Sequence, residues 1–334
     1  MYIIDSYSLA VIFCIITMIG WGSWANTLKL SSKEWAFPLF YWDYSLGLVL
    51  TTLIFGFTMG SFGVDGRGFV EDLSQASMTT IGLALLGGVI FNLANLLLGL
   101  AVSIAGMAVA FPIGIGLALA IGVVVNYMGD PVGNPYMLFG GLVLVVLAIL
   151  FNAKAYSKLP NDDQPNKTKG ILLSVFAGIL MGFFYRFVAE SMISDFSNPE
   201  SGFMTSYSAM FIFSLGLFFS NFIFNTWLMY KPVIGKAVTF SDYFKIGTPK
   251  LHFIGILGGL IWCVAMEFNL IASEKAGFAI SYGLGQGATM ISAAWGVFIW
   301  KEFAAAKKET SKWLTSMFVF FIIGLILLVI ARLK

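Results

Sequence analysis

The chain has 334 residues, 59% of them hydrophobic and only 11% charged, with a net charge of +2 at pH 7. A water-soluble domain averages roughly 45–50% apolar and about 25% charged residues, so this composition leaves too little polar surface for one. The 19 basic residues are scattered singly through short connectors, which excludes a phosphate-binding patch and a nucleic-acid partner.

A helix needs about 20 apolar residues to cross a hydrocarbon layer of roughly 30 Å, and ten segments have that length. The first, 7–28, follows Asp5 where a cleaved leader would be basic, so it reads as a span. It carries Trp21 and Trp24 near the midplane, and the second span, 37–59, carries Asp43 about two turns in. The third, 78–100, holds Phe91 with Asn92 and Asn95 one turn apart, and it ends at a turn near Ser103. The fourth, 104–127, contains Pro112 among glycines, which reads as a kink or a local break. The fifth is 134–153, and the sixth, 170–191, bears Arg186 and Glu190 four residues apart on one face. The seventh is 203–228. The eighth, 251–272, bears Trp262, Glu267 and Asn269, with His252 at its mouth, where an interfacial role is expected. The ninth, 277–299, contains Tyr282 and Gln286 in a glycine-rich run, and the tenth is 313–331. Trp227, Trp300 and Trp313 fall at span ends and read as interfacial anchors.

Ionisable and amide groups are costly inside a bilayer, so each is a functional candidate. Asp43, Glu267 and Glu190 are candidate proton-coupling carboxylates. Asp43 reads equally as a solvated helix start, and Glu190 as the structural partner of Arg186. Amides donate and accept together, and a ring offers a face for stacking. Asn92, Asn95, Gln286, Trp262, Phe91, Tyr282, Trp24 and Arg186 are therefore the candidate solute-binding residues. For each amide the alternative is interhelical hydrogen-bond glue. Cys14 and Cys263 lie far apart in apolar spans, and His252 is the one histidine, so no metal site and no cofactor is expected. No HExxH, GxSxG or paired acidic loop motif supports an enzyme.

Connectors following odd-numbered spans hold fourteen lysines, from Lys29 to Lys312, whereas the opposite side holds Arg67, Lys275, Arg332 and Lys334. Basic residues concentrate on the cytoplasmic side, so both termini are expected outside. A repeat is also visible. Phe111, Gly114 and Gly116 reappear as Tyr282, Gly285 and Gly287 after 171 residues, and Gly87 and Gly88 reappear as Gly258 and Gly259. Nearer the start of each half, Asp43-Tyr44-Ser45 aligns with Ser206-Tyr207-Ser208 at 163, and Gly20 with Gly182 at 162, which places Arg186 opposite Trp24. Five spans is an odd number, so the second half enters from the opposite side. The expected architecture is all-α, ten transmembrane helices as two inverted five-helix repeats, N-out and C-out. Residues 1–153 form the first repeat, 154–169 a cytoplasmic linker and 170–334 the second repeat.

With Gly22-Ser23-Trp24 in the first span and Tyr41-Trp42-Asp43-Tyr44-Ser45 entering the second, the chain resembles the drug/metabolite transporter superfamily. Within it the resemblance is to the plant ureide permeases and the bacterial glucose/ribose and rhamnose uptake proteins. The resemblance implies a multi-pass protein of a cytoplasmic membrane. It also implies proton-coupled or facilitated uptake of a small neutral polar solute such as a sugar, ureide or nucleobase, with a metabolite or drug exporter as the alternative. Plant members carry a long central loop with a nucleotide-binding-like motif. Here that loop is only 154–169 and has no GxxxxGK, so ATP is not expected as a partner.

Overall fold

The structure is a computed structural model and describes residues 1–63, 65–159, 167–233, 235–304, 306 and 308–333, apart from the side chains of Met107, Ala108, Lys167 and Lys308. Residues 160–166 of the expected linker and the lysines Lys307 and Lys334 lie outside the described residues. The fold is 79% helix, with no strand among the described residues.

In chain order the helices are α1 (Tyr7–Ser23), α2 (Ala25–Ser31), α3 (Phe37–Phe57), α4 (Phe69–Gln75), α5 (Met78–Ala105), α6 (Met107–Gly129) and α7 (Pro135–Tyr156). They continue as α8 (Lys167–Ser191), α9 (Ser206–Asn221), α10 (Phe224–Tyr230), α11 (Phe240–Ile246), α12 (Pro249–Ala276), α13 (Phe278–Gly285) and α14 (Ala288–Ala294). A π-helical turn (Trp295–Ile299) and α15 (Lys308–Leu333) complete the chain. Nine of the resulting runs are long and apolar enough to cross a membrane among the described residues, α1 with α2 and α9 with α10 each counting as one. The ninth expected span is the exception, being divided among α13, α14 and the π turn.

Local chemistry accounts for the helix ends. Ser77 caps α5 by accepting from Thr80 N–H, and Thr248 caps α12 by accepting from Leu251 N–H. Proline sits in the first turn of α3, α7 and α12, where its missing N–H is not needed. The α5–α6 boundary lies at Gly106 rather than near Ser103, because Gly106 takes a φ of 76° that side chains disfavour. Gly277 does the same between α12 and α13 with a φ of 84°. Pro112 does not break α6, which runs through it as one helix.

Interhelical contacts recur between the halves. Helices α5 and α12 each have 28 residues, and both their starts and their ends are 171 residues apart. A Cβ at Gly88 would overlap the Phe213 carbonyl of α9, and one at Gly259 would overlap the Tyr44 carbonyl of α3. Tyr44 thus corresponds to Phe213, a separation of 169 rather than the expected 163. Gly22 packs on the Ala288 carbonyl and Ile291, and Gly182 on the Ala118 carbonyl and Ile121. On these contacts Gly22 rather than Gly20 packs as Gly182 does, a separation of 160 that would align Arg186 with Asn26 rather than Trp24.

Large apolar side chains such as Ile15, Ile54, Phe176 and Ile326 stay exposed on the outer faces. An aromatic core of Phe91, Phe184, Phe213 and Trp262 fills the centre. At one end Tyr207 donates to Tyr2 O and Tyr7 to Val329 O. The opposite end carries Lys29, Asp43, Tyr156 and Glu302.

Candidate functional site

The glycine run Gly283-Leu284-Gly285-Gln286-Gly287 is where the helix is interrupted. Gly287 N–H donates to Leu284 O at 3.0 Å and Met290 N–H to Gly287 O at 2.9 Å, each three residues back instead of four. This tightened turn separates α13 from α14, as two small residues around Gln286 allow. Gly285 lets α1 approach: a Cβ there would meet the Trp21 ring, the Asn269 amide and the Thr17 methyl. Trp21 stacks on Trp262 with centroids 6.1 Å apart, and Trp262 lies 4.5 Å from Phe91.

Polar atoms are left over around this turn. Trp21 Nε1 is buried without an acceptor. Asn269 donates to Ser281 O at 2.8 Å, yet its Oδ1 is buried without a donor. Gln286 is 9% exposed, and its side-chain amide has no hydrogen bond among the described residues. Buried polar groups are ordinarily paired, so this cluster offers donors and acceptors to something else. A small cavity of about 10 Å³, with room for at most one water, lies near this turn between Pro112, Asn152, Tyr156 and Thr289.

The other expected solute residues make contacts of their own. Asn92 donates to Leu217 O and to Ser220 Oγ, tying α5 to α9, while its Oδ1 is buried without a donor. Asn95 donates to Tyr41 Oη at 3.1 Å, tying α5 to α3. Tyr282 donates to Ala118 O and Met181 O. Trp24 packs 4.9 Å from Tyr44. Arg186 forms an i,i+4 pair with Glu190 at 2.8 Å, with both side chains partly solvated.

The carboxylates separate sharply. Asp43 is buried and accepts from Trp35 Nε1 at 3.1 Å and from Tyr243 Oη, and it contacts His252 Nδ1 at 2.9 Å. Its partners come from three further elements: the α2–α3 connector, α11 and α12. His252 thus bonds the carboxylate rather than only marking the interface. Burial, reinforced by the hydrogen bond to Asp43, holds the Tyr243 phenol well above its usual range. Glu267 lies fifteen residues along α12 from His252, about 22 Å by the helical rise. It is fully buried, and neither carboxylate oxygen has a hydrogen-bond partner; Ser206 stands beside it with its own hydroxyl unpaired.

A second polar cluster closes the same end as Asp43. Glu302 pairs with Lys29 Nζ at 2.6 Å and accepts from Tyr156 Oη at 3.1 Å. Trp300 Nε1 donates to Asn26 Oδ1 at 2.6 Å, and Lys29 lies 4.3 Å over the Trp300 ring. Trp300 is therefore a cross-helix contact and not an interface anchor. Lys301 between them takes a φ of 52°, a strained value for a side-chain-bearing residue. The sequence reading missed Lys29, Tyr156, Glu302, Trp35 and Tyr243. They lie at span ends or in the connectors between spans, where charged and aromatic residues are ordinary. The π turn, in hindsight the marker, has no composition of its own.

The sequence matches the ureide permease profile over residues 40–169 and again over 163–331, which together take in most of the chain. The chain belongs to the ureide permease family. Ureide permease 1 of Arabidopsis thaliana is 22% identical over 98% of both chains. The Streptococcus agalactiae chain named "Putative sugar uptake protein SAG2157" is 27% identical over 62% of this chain and 72% of its own. A solved crystal structure superposes with a TM-score of 0.63 at 14% identity, covering 98% of this chain and 99% of that one, which shows a shared fold. As a ureide permease family member the chain is a multi-pass transporter of small solutes and not an enzyme.

Proposed function

We propose that this permease is a secondary importer of a small neutral polar solute such as a sugar, ureide or nucleobase, coupled to protons. The observation that carries the reading is the broken helix at Gln286, with its unsatisfied Trp21 Nε1, Asn269 Oδ1 and Gln286 amide beside stacked rings. A neutral solute entering there regains hydrogen bonds it had in water, and each polar group left unpaired would cost about 1–3 kcal/mol. Discontinuous helices at the repeat interface are a common way to build such sites. Gln286, Trp262 and Phe91 keep their proposed solute role, and Trp21 and Asn269 join them. Asn92, Asn95 and Tyr282 act as glue.

The proposed frame has ten crossings, α13 through the π turn being the ninth, in two inverted halves with both termini outside. Its supports are the matched glycine contacts and the matched lengths of α5 and α12. The lysine-rich side is the cytoplasm. Asp43 near that side and Glu267 toward the other are the coupling carboxylates. An unpaired buried charge costs several kcal/mol, so a carboxyl that changes surroundings during the cycle exchanges its proton. Glu190, bound to Arg186 and 41% exposed, has no such constraint.

Uptake into proteoliposomes of radiolabelled sugars, ureides and nucleobases tests this. An inward acid gradient is expected to drive accumulation, and Asp43→Asn or Glu267→Gln to abolish accumulation while leaving counterflow. Undiminished accumulation in both variants would remove the coupling role from these two carboxylates, and equilibration without accumulation in the parent would make the pathway a facilitator.

A further inference from the structure

The Lys29–Glu302 cluster has a counterpart at the opposite end, and the two are not in the same condition. A shift of 171 residues takes Gly129, the last residue of α6, to Trp300, and the contacts of Gly22 and Gly182 place Asn26 opposite Arg186. At the Lys29 end, Asn26 and Lys29 lie against Trp300 and Glu302. At the other end the Arg186 guanidinium lies directly on Gly129, the neighbour of Asp130. Each end thus has a cation near the end of one half's first span and an anion just past the other half's fourth span. The Lys29 end is locked between elements, since Glu302 holds both α2 and α7. At the other end Arg186 is bonded only within α8, to Glu190, and Asp130 forms no ion pair among the described residues.

We propose that Arg186 and Asp130 are the outer gate of this permease, an ion pair that forms when Lys29–Glu302 breaks. This rests on the inverted-repeat reading above, in which the two halves exchange conformations between states. The contact made now at one end is then made at the other end in the opposite state. The structure is the inner-closed state. Arg186 exchanges Glu190 for Asp130 as the cycle turns, a partner change between two carboxylates of one charge that needs no new desolvated group. The strained Lys301 backbone and the π turn at the inner gate are local irregularities of the kind that permit two arrangements.

The test needs no solute. In a Cys14→Ala/Cys263→Ala background, Thr289→Cys places a thiol on the small cavity behind Tyr156. A membrane-impermeant maleimide is applied to the lysine-rich face in vesicles of known sidedness. Labelling is expected to be slow in this parent and to rise about fivefold or more when Glu302→Gln or Lys29→Gln opens the inner gate. Adding Asp130→Asn is expected to return it toward the parent rate, because the outer gate can no longer hold the inward-open state. The charge exchange Asp130→Arg with Arg186→Asp is expected to restore fast labelling, and Asp130→Arg alone to fail. If Glu302→Gln and Lys29→Gln, both eluting as intact protein, leave the thiol closed, Lys29–Glu302 is not the inner gate and the proposal fails, whatever the proteoliposome uptake shows. If they open it but Asp130→Asn and Asp130→Arg change nothing, the outer pair alone is wrong.

Discussion

Two asparagines of the same apparent kind have different surroundings. Asn92 spends both Nδ2 hydrogens on α9, whereas Asn269 makes one bond and lies beside the helix break; each leaves its Oδ1 buried without a donor. The sequence makes both visible as amides in apolar helices, but which of them is glue depends on what the facing helix offers, and no spacing rule encodes that. His252 shows the same limit from the other side: its partner Asp43 is 209 residues away. The distinction has a measurable consequence. Gln286→Ala and Trp262→Ala are expected to weaken solute binding about tenfold, roughly 1.4 kcal/mol, with melting in detergent little changed. Asn92→Ala is expected to do the reverse, lowering stability by about 1–3 kcal/mol at unchanged affinity. Trp227, 54% exposed on α10, is the proper control ring, since Trp300 bonds Asn26. Equal losses of affinity at Trp227→Ala and Trp262→Ala would remove the central site from consideration.

At the scale of elements, length and hydropathy sufficed for nine runs, because crossing a bilayer demands a continuous apolar helix and little else. They did not reveal that the ninth expected span is cut at Gln286, since glycine runs permit a break without requiring one. They also did not show that α11, seven residues in a polar connector, would dock Tyr243 onto Asp43. That short helix is held by its cap. The Thr239 hydroxyl and N–H both donate to Asp242, and these bonds keep its carboxyl below the ordinary 3.8. A carboxyl lowered by folding contributes fully above its unfolded value, and the contribution disappears as pH falls through the folded one. A fluorophore on Phe244→Cys, an exposed position of α11, is therefore expected to lose anisotropy on acidification below 3.8. Asp242→Asn should start at lower anisotropy and respond less to acid. An identical acid response in the variant would show that the cap does not hold the helix.

For the whole molecule the proposed repeat is legible where no insertion intervenes. The 171-residue shift survives intact from α5–α6 to α12–α13, including the pair Gly106 and Gly277 with positive φ. It was misread earlier in each half, because short glycine and serine matches align at several shifts, and only the contacts of Gly88, Gly259, Gly22 and Gly182 select 169 and 160. If those contacts are equivalent, Gly88→Ala and Gly259→Ala should destabilise by similar amounts, about 1–3 kcal/mol each. They should also add nearly independently, since they press on different helix pairs; thermal melts of the two single variants and the double variant decide this. The direction of the assembly in the membrane is a separate matter, because the helix contacts are unchanged when the molecule is turned over. Only charge breaks that degeneracy. The fourteen lysines on one side against four basic residues on the other are what the proposed cytoplasmic side rests on. A reporter active only in the cytoplasm is expected to work when inserted within 154–169 and to be silent when fused after Lys334. The opposite pattern would turn the molecule over. Lys29–Glu302 would then be the outer gate, and Asp43 would face the external solution where protons enter first.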